Sequence, residues 1–400
     1  MTHSLNLASL SNVICHIKAP QHAIENDVKL NNEQTDDFPP WHESIIAEVA
    51  QFSEFLLSKK ACKEQPELVA LAFWCRKSNL LSISSDFKKL TSSAAREPIG
   101  KVFHIAPANV DTVFFYSLLL SMLSGNQNIV RISERSGKIC RLLIQLFQQF
   151  LQTKHPKLMP ALVSIVEYSA IDTSTTATFS QWCDLRVIWG GDSAIKAISI
   201  IEPTTKQLSF PDRFSIAVCQ LNEEDNIRKV ASAFIADFLP FNQQACSSPK
   251  ALFWLNTSNS LQRDFYHELC TLIKSSEGFN ISHQVERQIN LQELLLLSDN
   301  QVMANQSSSQ LAHIRLNSIT PKHLINHQGN GLLLVQDIDD IAQLPLHEKL
   351  QTISYSGIDS NLFKSINNKH YNRYTHLGTA LAFNHIWDGV NLLKELTTNT

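Results

Sequence analysis

KVFHIAPANVDTVFFYSLLLSMLSGNQNIVRIS, residues 101–133 of a chain of 400, changes character twice. KVFHIAP (101–107) is a short apolar run bounded by Gly100 and Pro107. Val110 to Ser124 follows as an apolar stretch with helical character, and NIVRIS (128–133) is again short and rich in β-branched residues. Strand, helix, strand in this order predicts a βαβ unit and hence a parallel sheet. The most apolar part, Thr112–Leu123, is broken by Ser117 and Ser121 and falls well short of the roughly 20 residues needed to cross a bilayer. It reads as a buried helix, and no membrane span is expected.

The alternation continues downstream. Cys140–Leu151 is helical in pattern, LVSIVEYS (162–169) and LRVIWGG (185–191) are strand candidates, and FSIAVCQ (214–220) is another. Residues 100–220 therefore read as a parallel-sheet nucleotide-binding domain, whose ligand belongs at the carboxyl ends of the strands. Beyond it, a helix candidate at Glu223–Phe238 runs to Pro240, and FNQQACSSPKALFWLN (241–256) leads from a small-residue turn into an apolar strand. With GLLLVQDI (331–338) as a further strand, residues 221–355 read as a second α/β domain and 356–400 as a C-terminal segment packing back on the core. Gln301 to Gln310, rich in Gln, Asn and Ser, reads as a surface loop. Upstream, Ile45, Ile46, Val49, Phe52, Phe55 and Leu56 recur at helical spacing. Residues 1–99 are thus mostly helical, with a polar connector over 20–40 ending in Pro39-Pro40.

Composition narrows the function classes. A hydrophobic fraction of 44% with 18% charged residues belongs to a folded chain. Thirty-four Lys and Arg against 37 Asp and Glu leave a net charge of −3, which offers nucleic acid and anionic lipid no general attraction. The eight cysteines include no CxxC pair, so neither a zinc site nor a disulfide framework is expected. Met1–Pro20 has no basic segment feeding an apolar core, so export is not expected and a cytoplasmic location is. GxGxxG, the Walker loop, GxSxG, HExxH and the EF-hand loop are all absent from the sequence, which removes the familiar dehydrogenase, hydrolase, zincin and calcium-binding readings.

A few residues remain that could carry chemistry. Cys246 sits among small polar residues, Gln243-Gln244-Ala245 before it and Ser247-Ser248-Pro249 after it, where a thiol is reachable; the plain alternative is a small buried hydrophobe. Gly190-Gly191-Asp192 follows the strand RVIW and would let backbone amides approach a ligand, with Asp192 opening a helix; an ordinary strand-to-helix turn uses the same residues. Asn109 either caps the helix after PAN or serves a site. Arg131 and Ser133 end a strand, where they either hold a phosphate or are simply solvated. His104 lies in an apolar strand and reads as a core residue, and His376 and His385 as structural.

Taken in order, HIAPANVDTVFFYSLLLSMLSGNQNIVRIS (104–133), RVIWGGDSAIKAI (186–198), PDRFSIAV (211–218) and FNQQACSSPK (241–250) resemble the LuxC-type acyl-CoA reductases. These are the fatty-acid reductases of bacterial luminescence systems and belong to the aldehyde dehydrogenase superfamily. HLGTALAF (376–383) and WDGV (387–390) resemble that family's C-terminal end. The resemblance implies an aldehyde dehydrogenase-like α/β fold with a nucleotide-binding and a catalytic domain. It places Cys246 at the nucleophile, Asn109 at the oxyanion hole, Arg131 and Ser133 at the adenosine ribose, and Gly190, Gly191 and Asp192 at the cofactor diphosphate. A basic residue with a hydroxyl suits the 2′-phosphate of NADPH. Where hydrolytic relatives carry Glu-Leu-Gly-Gly-Lys, this chain has Ser209-Phe210-Pro211-Asp212-Arg213, without the Glu that activates water.

What the resemblance implies is NADPH-dependent reduction of an acyl thioester to an aldehyde through a Cys246 acyl-enzyme. The acyl donor is either acyl-CoA or an acyl group delivered by a carrier or acyl-transfer protein, and a homo-oligomer is possible from the superfamily's habit. Oxidation of an aldehyde to an acid or thioester, and a non-catalytic binding protein on the same fold, are the other readings.

Overall fold

Alternation along the strands decides how the chain layers. The computed structural model describes residues 10, 12–18, 39–92, 94–107, 112–274, 279–298, 302–307, 311–365 and 373–399. By contact density they divide into one unit of residues 1–211 and 383–400 and another of 212–382.

In the first unit the strands are β1 (Ile14–Ile17), β2 (Arg96–Pro98), β3 (Lys101–Ile105), β4 (Gln127–Ile132), β5 (Val163–Glu167), β6 (Leu185–Trp189) and β7 (Gln207–Phe210). Six of them form a sheet of order β1-β5-β4-β3-β6-β7, parallel except for the antiparallel edge strand β1. Successive residues face opposite layers. Val102, Val130, Ile132, Val163, Ile165, Leu185 and Val187 share one core with the helices Glu43–Ser58, Val113–Leu123 and Lys138–Lys154. Phe103, Ile105, Ile129, Val166 and Ile188 share another with the helix Thr173–Trp182. Every residue of Val113–Leu123 is buried, as its apolar sequence requires, and Phe115 packs against Phe52 and Phe147 with ring centroids 5.5 and 5.1 Å apart. His104 is a core residue, its ring nitrogens 3.0 Å from Ser117 Oγ and 3.0 Å from Asn128 Oδ1. Burial lowers its pKa to about 4, so it is neutral.

The second unit contains β8 (Phe214–Cys219), β9 (Pro249–Leu255), β10 (Val302–Ser307), β11 (Ala312–Leu316), β12 (Leu332–Ile338), β13 (Leu350–Ser356) and β14 (Arg373–His376). They form one sheet of order β10-β11-β12-β9-β8-β13-β14, in which only the β10–β11 pair is antiparallel. Helix Ile281–Leu297 covers one face with Leu291 and Leu294. Helices Ile227–Phe238 and Asn259–Lys274 cover the other, where Trp254 meets Phe265 edge-on at 4.9 Å. The Gln/Asn/Ser-rich stretch expected as a loop contains a strand, β10, because its backbone finds a partner in β11 that composition does not reveal.

The last residues return to the first unit. There β15 (Ile386–Trp387) and β16 (Val390–Asn391) pair with each other, and β17 (Thr397–Asn399) pairs antiparallel with β2. Arg96 fastens this end, donating to Thr397 Oγ1 at 2.7 Å and to the Lys394 carbonyl at 2.7 Å.

Candidate functional site

Helix Ile227–Phe238 cannot continue through Pro240, and the chain then does something costly. Phe241, Asn242 and Gln243 take φ of 55°, 54° and 62° in succession. Left-handed backbone at a non-glycine residue is disfavoured by about 1–2 kcal/mol, so three in a row survive only where the surroundings hold them. Here the holder is Gln243, a fully buried side chain. Its amide nitrogen donates to the Pro249 carbonyl at 2.9 Å and the Leu332 carbonyl at 2.7 Å, and its oxygen accepts from the Gly331 amide at 3.0 Å. The Asn330 amide donates to the Asn242 carbonyl at 2.7 Å, and Gln244 Nε2 to Asn330 Oδ1 at 3.2 Å. A Cβ on Gly329 would lie 2.8 Å from the Gln243 carbonyl oxygen, so this approach requires glycine there. The helix Ile281–Leu297 braces the second loop in turn: Asn330 Nδ2 donates to Glu286 and the Gln328 amide to Asn290 Oδ1.

What the clamp presents is Cys246. Ala245, Ser247 and Ser248 are buried around it, while Cys246 itself is half-buried. Its carbonyl accepts from Ser215 Oγ at 2.7 Å, Ser215 in turn accepts from the Thr352 amide at 3.2 Å, and Ser247 Oγ donates to Gln351 at 2.9 Å. The thiol is thus carried on a turn tied to β8, β9, β13 and the loop before β12. By contrast Cys75 and Cys219 lie in apolar surroundings where burial pushes their thiols far up, which suppresses thiolate chemistry. The eight cysteines form no disulfide.

The helix leading into this turn carries a second anchor. The Asp237 carboxylate is fully buried and accepts from the Gly378 amide at 2.7 Å and the Ala380 amide at 2.8 Å. Desolvation outweighs these bonds and raises its pKa to about 6. The HLGTALAF segment is thereby fixed against the helix that ends at the cysteine turn.

In the first unit, the other predicted residues lie along the carboxyl edge of the six-stranded sheet. Arg131 and Ser133 lie at the end of β4, and Gly190-Gly191-Asp192 at the end of β6, with β3 between. Strand order reverses here, β3 having β4 on one side and β6 on the other, which is where α/β sheets open a crevice. Gly191 takes the capping position, with φ −67° and ψ 157°, and Asp192 is the first residue of the helix Asp192–Ser199. Neither glycine serves the protein's own packing: a Cβ on Gly191 meets nothing within 4 Å, and one on Gly190 meets only Ala194 at 3.8 Å. Their lack of side chains leaves room in front of the backbone. Arg131 donates to the Tyr168 carbonyl at 3.1 Å and lies 5.2 Å from that ring's centroid, while its enclosed Nε has no partner among the described residues. Ser133 Oγ accepts from the Arg135 amide at 3.2 Å. Phe210, within the SFPDR stretch, stacks on Trp189 at 4.0 Å, and its carbonyl accepts from the Gly190 amide at 3.2 Å. Asn109 lies outside the described residues. An anion-approachable edge with open glycines and an underemployed arginine fits a dinucleotide. Among the described residues no group of acidic, His and Cys side chains is placed to hold a metal ion, and no helix is long and apolar enough to cross a membrane.

Sequence reading missed Gln243, Ser215 and the 327–331 loop. HQGNG, with Gly on both sides of Asn330, was the available sign of a backbone in left-handed conformation, and Gly329, Asn330 and Gly331 all have positive φ.

Comparison with known proteins follows the same lines. The family described as acyl-CoA reductase (LuxC) matches residues 82–399. The long-chain acyl-protein thioester reductase 2 of Photobacterium leiognathi is 25% identical over 174 residues, 43% of this chain and 35% of that protein. The long-chain acyl-protein thioester reductase of Aliivibrio fischeri is 23% identical over 190 residues, 46% of this chain and 39% of that protein. The matched segment thus spans less than half the length of these relatives. Among solved structures, an oxidoreductase from Marinobacter aquaeolei superposes with a TM-score of 0.64 at 11% identity, covering 92% of this chain and 86% of its own. The aldehyde dehydrogenase PutA of Anabaena variabilis superposes with a TM-score of 0.60 at 13% identity, covering 89% and 87%. These likenesses show an aldehyde dehydrogenase-like fold.

Proposed function

Because the chain belongs to the acyl-CoA reductase (LuxC) family, we propose that it reduces an acyl thioester to an aldehyde through an acyl-enzyme on Cys246, with NADPH as reductant. The observation that carries this reading is the placement of Cys246, half-buried on a turn that Gln243 and Ser215 hold rigidly.

The Cys246 thiolate attacks the thioester carbonyl, a carbon–sulfur bond forms, and the donor's thiolate leaves. Oxyanion charge that develops on the way needs donors aimed at it, a role we assign to the Asn109 side-chain amide and the Cys246 backbone N–H; one such donor contributes about 10²–10³ in rate. NADPH, when bound, would supply the hydride that brings the acyl carbon to the aldehyde level, and the carbon–sulfur bond to Cys246 then breaks, its electron pair returning to sulfur as the thiolate while the aldehyde leaves. Gly190 and Gly191 would take its diphosphate against the backbone ahead of Asp192, and Arg131 with Ser133 its ribose and 2′-phosphate. The absence of a water-activating Glu in Ser209–Arg213 supports reduction over hydrolysis: Ser209 stands where the Glu would, and its hydroxyl, which accepts from Gln207 Nε2 at 2.6 Å, offers no carboxylate base. The relatives' names point to a long-chain acyl group delivered on a protein, so an acyl-carrying or acyl-transfer partner is the favoured donor over free acyl-CoA.

The test is NADPH oxidation at 340 nm with a panel of acyl-CoA and carrier-bound acyl thioesters, aldehyde trapping, and mass spectrometry of the protein. Aldehyde is expected with a Cys246 acyl adduct, both lost in Cys246→Ala. Continued turnover or equal acylation of that variant overturns the nucleophile assignment. Acid formed from aldehyde and NADP⁺ without added thiol would favour the oxidative reading instead.

A further inference from the structure

Four residues beyond Cys246, β9 breaks step with β8: Ser215 pairs with Pro249 and the next residue, Ile216, with Ala251, leaving Lys250 as the extra residue of a β-bulge. Bulges re-aim a side chain and are frequent beside active sites. The half-buried Lys250 places its Nζ against two carbonyls at the end of the helix Pro321–Ile325 and just after it, His327 at 2.8 Å and Leu324 at 3.3 Å. Two carbonyls hold an ammonium without neutralising it. Among the described residues, the titratable groups that act on it are Asp212 ahead of β8, Cys246 on the turn and Lys349 ahead of β13. His327, the histidine packed here, adds no charge: Nε2 lies 2.9 Å from the Leu332 carbonyl and Nδ1 accepts from the Gly329 amide at 3.0 Å, and burial pulls its pKa down to about 3.

We propose that Lys250 is a positioning residue for the reaction, an ammonium fixed by the bulge and the two carbonyls so that its charge holds Cys246 in the thiolate form. The inference rests on the reading of Cys246 as nucleophile. In balance, the thiol proton passes to solvent and the anion left on sulfur is offset by a lysine charge already in place. The Lys250 pKa is lowered overall: burial pulls it down most, Asp212 and then the Cys246 sulfur push it up, and Lys349 pulls it down; by reciprocity the ammonium that Cys246 favours itself favours the Cys246 thiolate.

The experiment is the pH dependence of iodoacetamide alkylation of the full chain, read peptide by peptide. In the wild type the Cys246 midpoint is expected below that of the exposed Cys270 in the same sample. Lys250→Gln, which retains a donor for the two carbonyls but no charge, and Lys250→Met are expected to raise the Cys246 midpoint by about one unit and slow alkylation at neutral pH about tenfold. Lys250→Arg is expected to stay close to wild type. A wild-type Cys246 midpoint at or above that of Cys270, or an unmoved midpoint in Lys250→Gln, overturns the proposal; the first comparison needs no variant to fold. Failure of the underlying reading is separate, since it appears as turnover surviving in Cys246→Ala.

Discussion

Replacing Gln243 by Leu removes the clamp while leaving the volume nearly unchanged. The variant strips a bond from the Pro249 carbonyl, the Leu332 carbonyl and the Gly331 amide. Leu332 keeps a second partner in His327 Nε2 at 2.9 Å, so the heavier losses fall on Pro249 and Gly331. A buried group left without a partner costs about 1–3 kcal/mol, and the left-handed backbone at 241–243 is no easier for Leu than for Gln. The expected destabilisation of the second unit is about 3–5 kcal/mol, a fall in its melting temperature of roughly 6–20 °C for a unit of this size. Differential scanning calorimetry reads it, with Cys246 alkylation expected to quicken as the turn loosens. Gln243→Glu adds a signature. Its carboxylate would face two carbonyls, which raises the folded-state pKa above the unfolded value, so its stability is lost as pH rises through that folded value and recovered on acidification. Gln243→Leu has no such group and runs parallel to wild type. A fall of under 2 °C in Gln243→Leu, or Gln243→Glu and Gln243→Leu tracking each other between pH 7 and 5, would refute the clamp.

Gly191→Ala is expected to leave the melting temperature within about a degree, because the new methyl meets nothing within 4 Å, yet to weaken NADPH binding in a fluorescence titration; unchanged binding would remove the diphosphate from this edge. His104 holds its pKa at about 4, and the half-buried His313 and buried His327 theirs at about 4 and about 3, against an ordinary 6.5. The unfolded chain takes up these protons first, so stability is expected to fall as pH drops from about 6.5 towards 4. Urea titrations of His104→Gln should show that acid limb shallower by one proton, and an identical slope would mean His104 is protonated in the fold.

Periodicity carried a great deal. The alternation of β3, one face to the helices around Val113–Leu123 and the other to Phe179, is written in KVFHI, and an apolar run without a polar stripe has to become a helix buried all round. The order of motifs reached the family, and context alone singled out Cys246. The carboxyl-edge placement of Arg131, Ser133 and Gly190–Asp192 followed from parallel-sheet geometry.

Other features depend on residues far apart in the chain, and local preference says nothing about those. FSIAVC is a strand in any setting, but its place beside β9 and β13 in the second sheet depends on which backbones come alongside. A Gln/Asn/Ser-rich stretch becomes β10 because β11 offers it hydrogen bonds. Nothing in PFNQ announces three left-handed residues in a row; they exist because Gln243 reaches Leu332 and Gly331 across the fold. Nothing in SSPK singles out Lys250; its position at the slipped register of β8 against β9, with Nζ on the Leu324 and His327 carbonyls, is a product of the fold. Helix and strand periods are set by neighbours along the chain, whereas strain, bulges and buried charge are tolerated only where distant groups close around them. Sequence therefore determined most of the helices and strands and marked Cys246 as a candidate, and tertiary structure decided what holds that thiol in place.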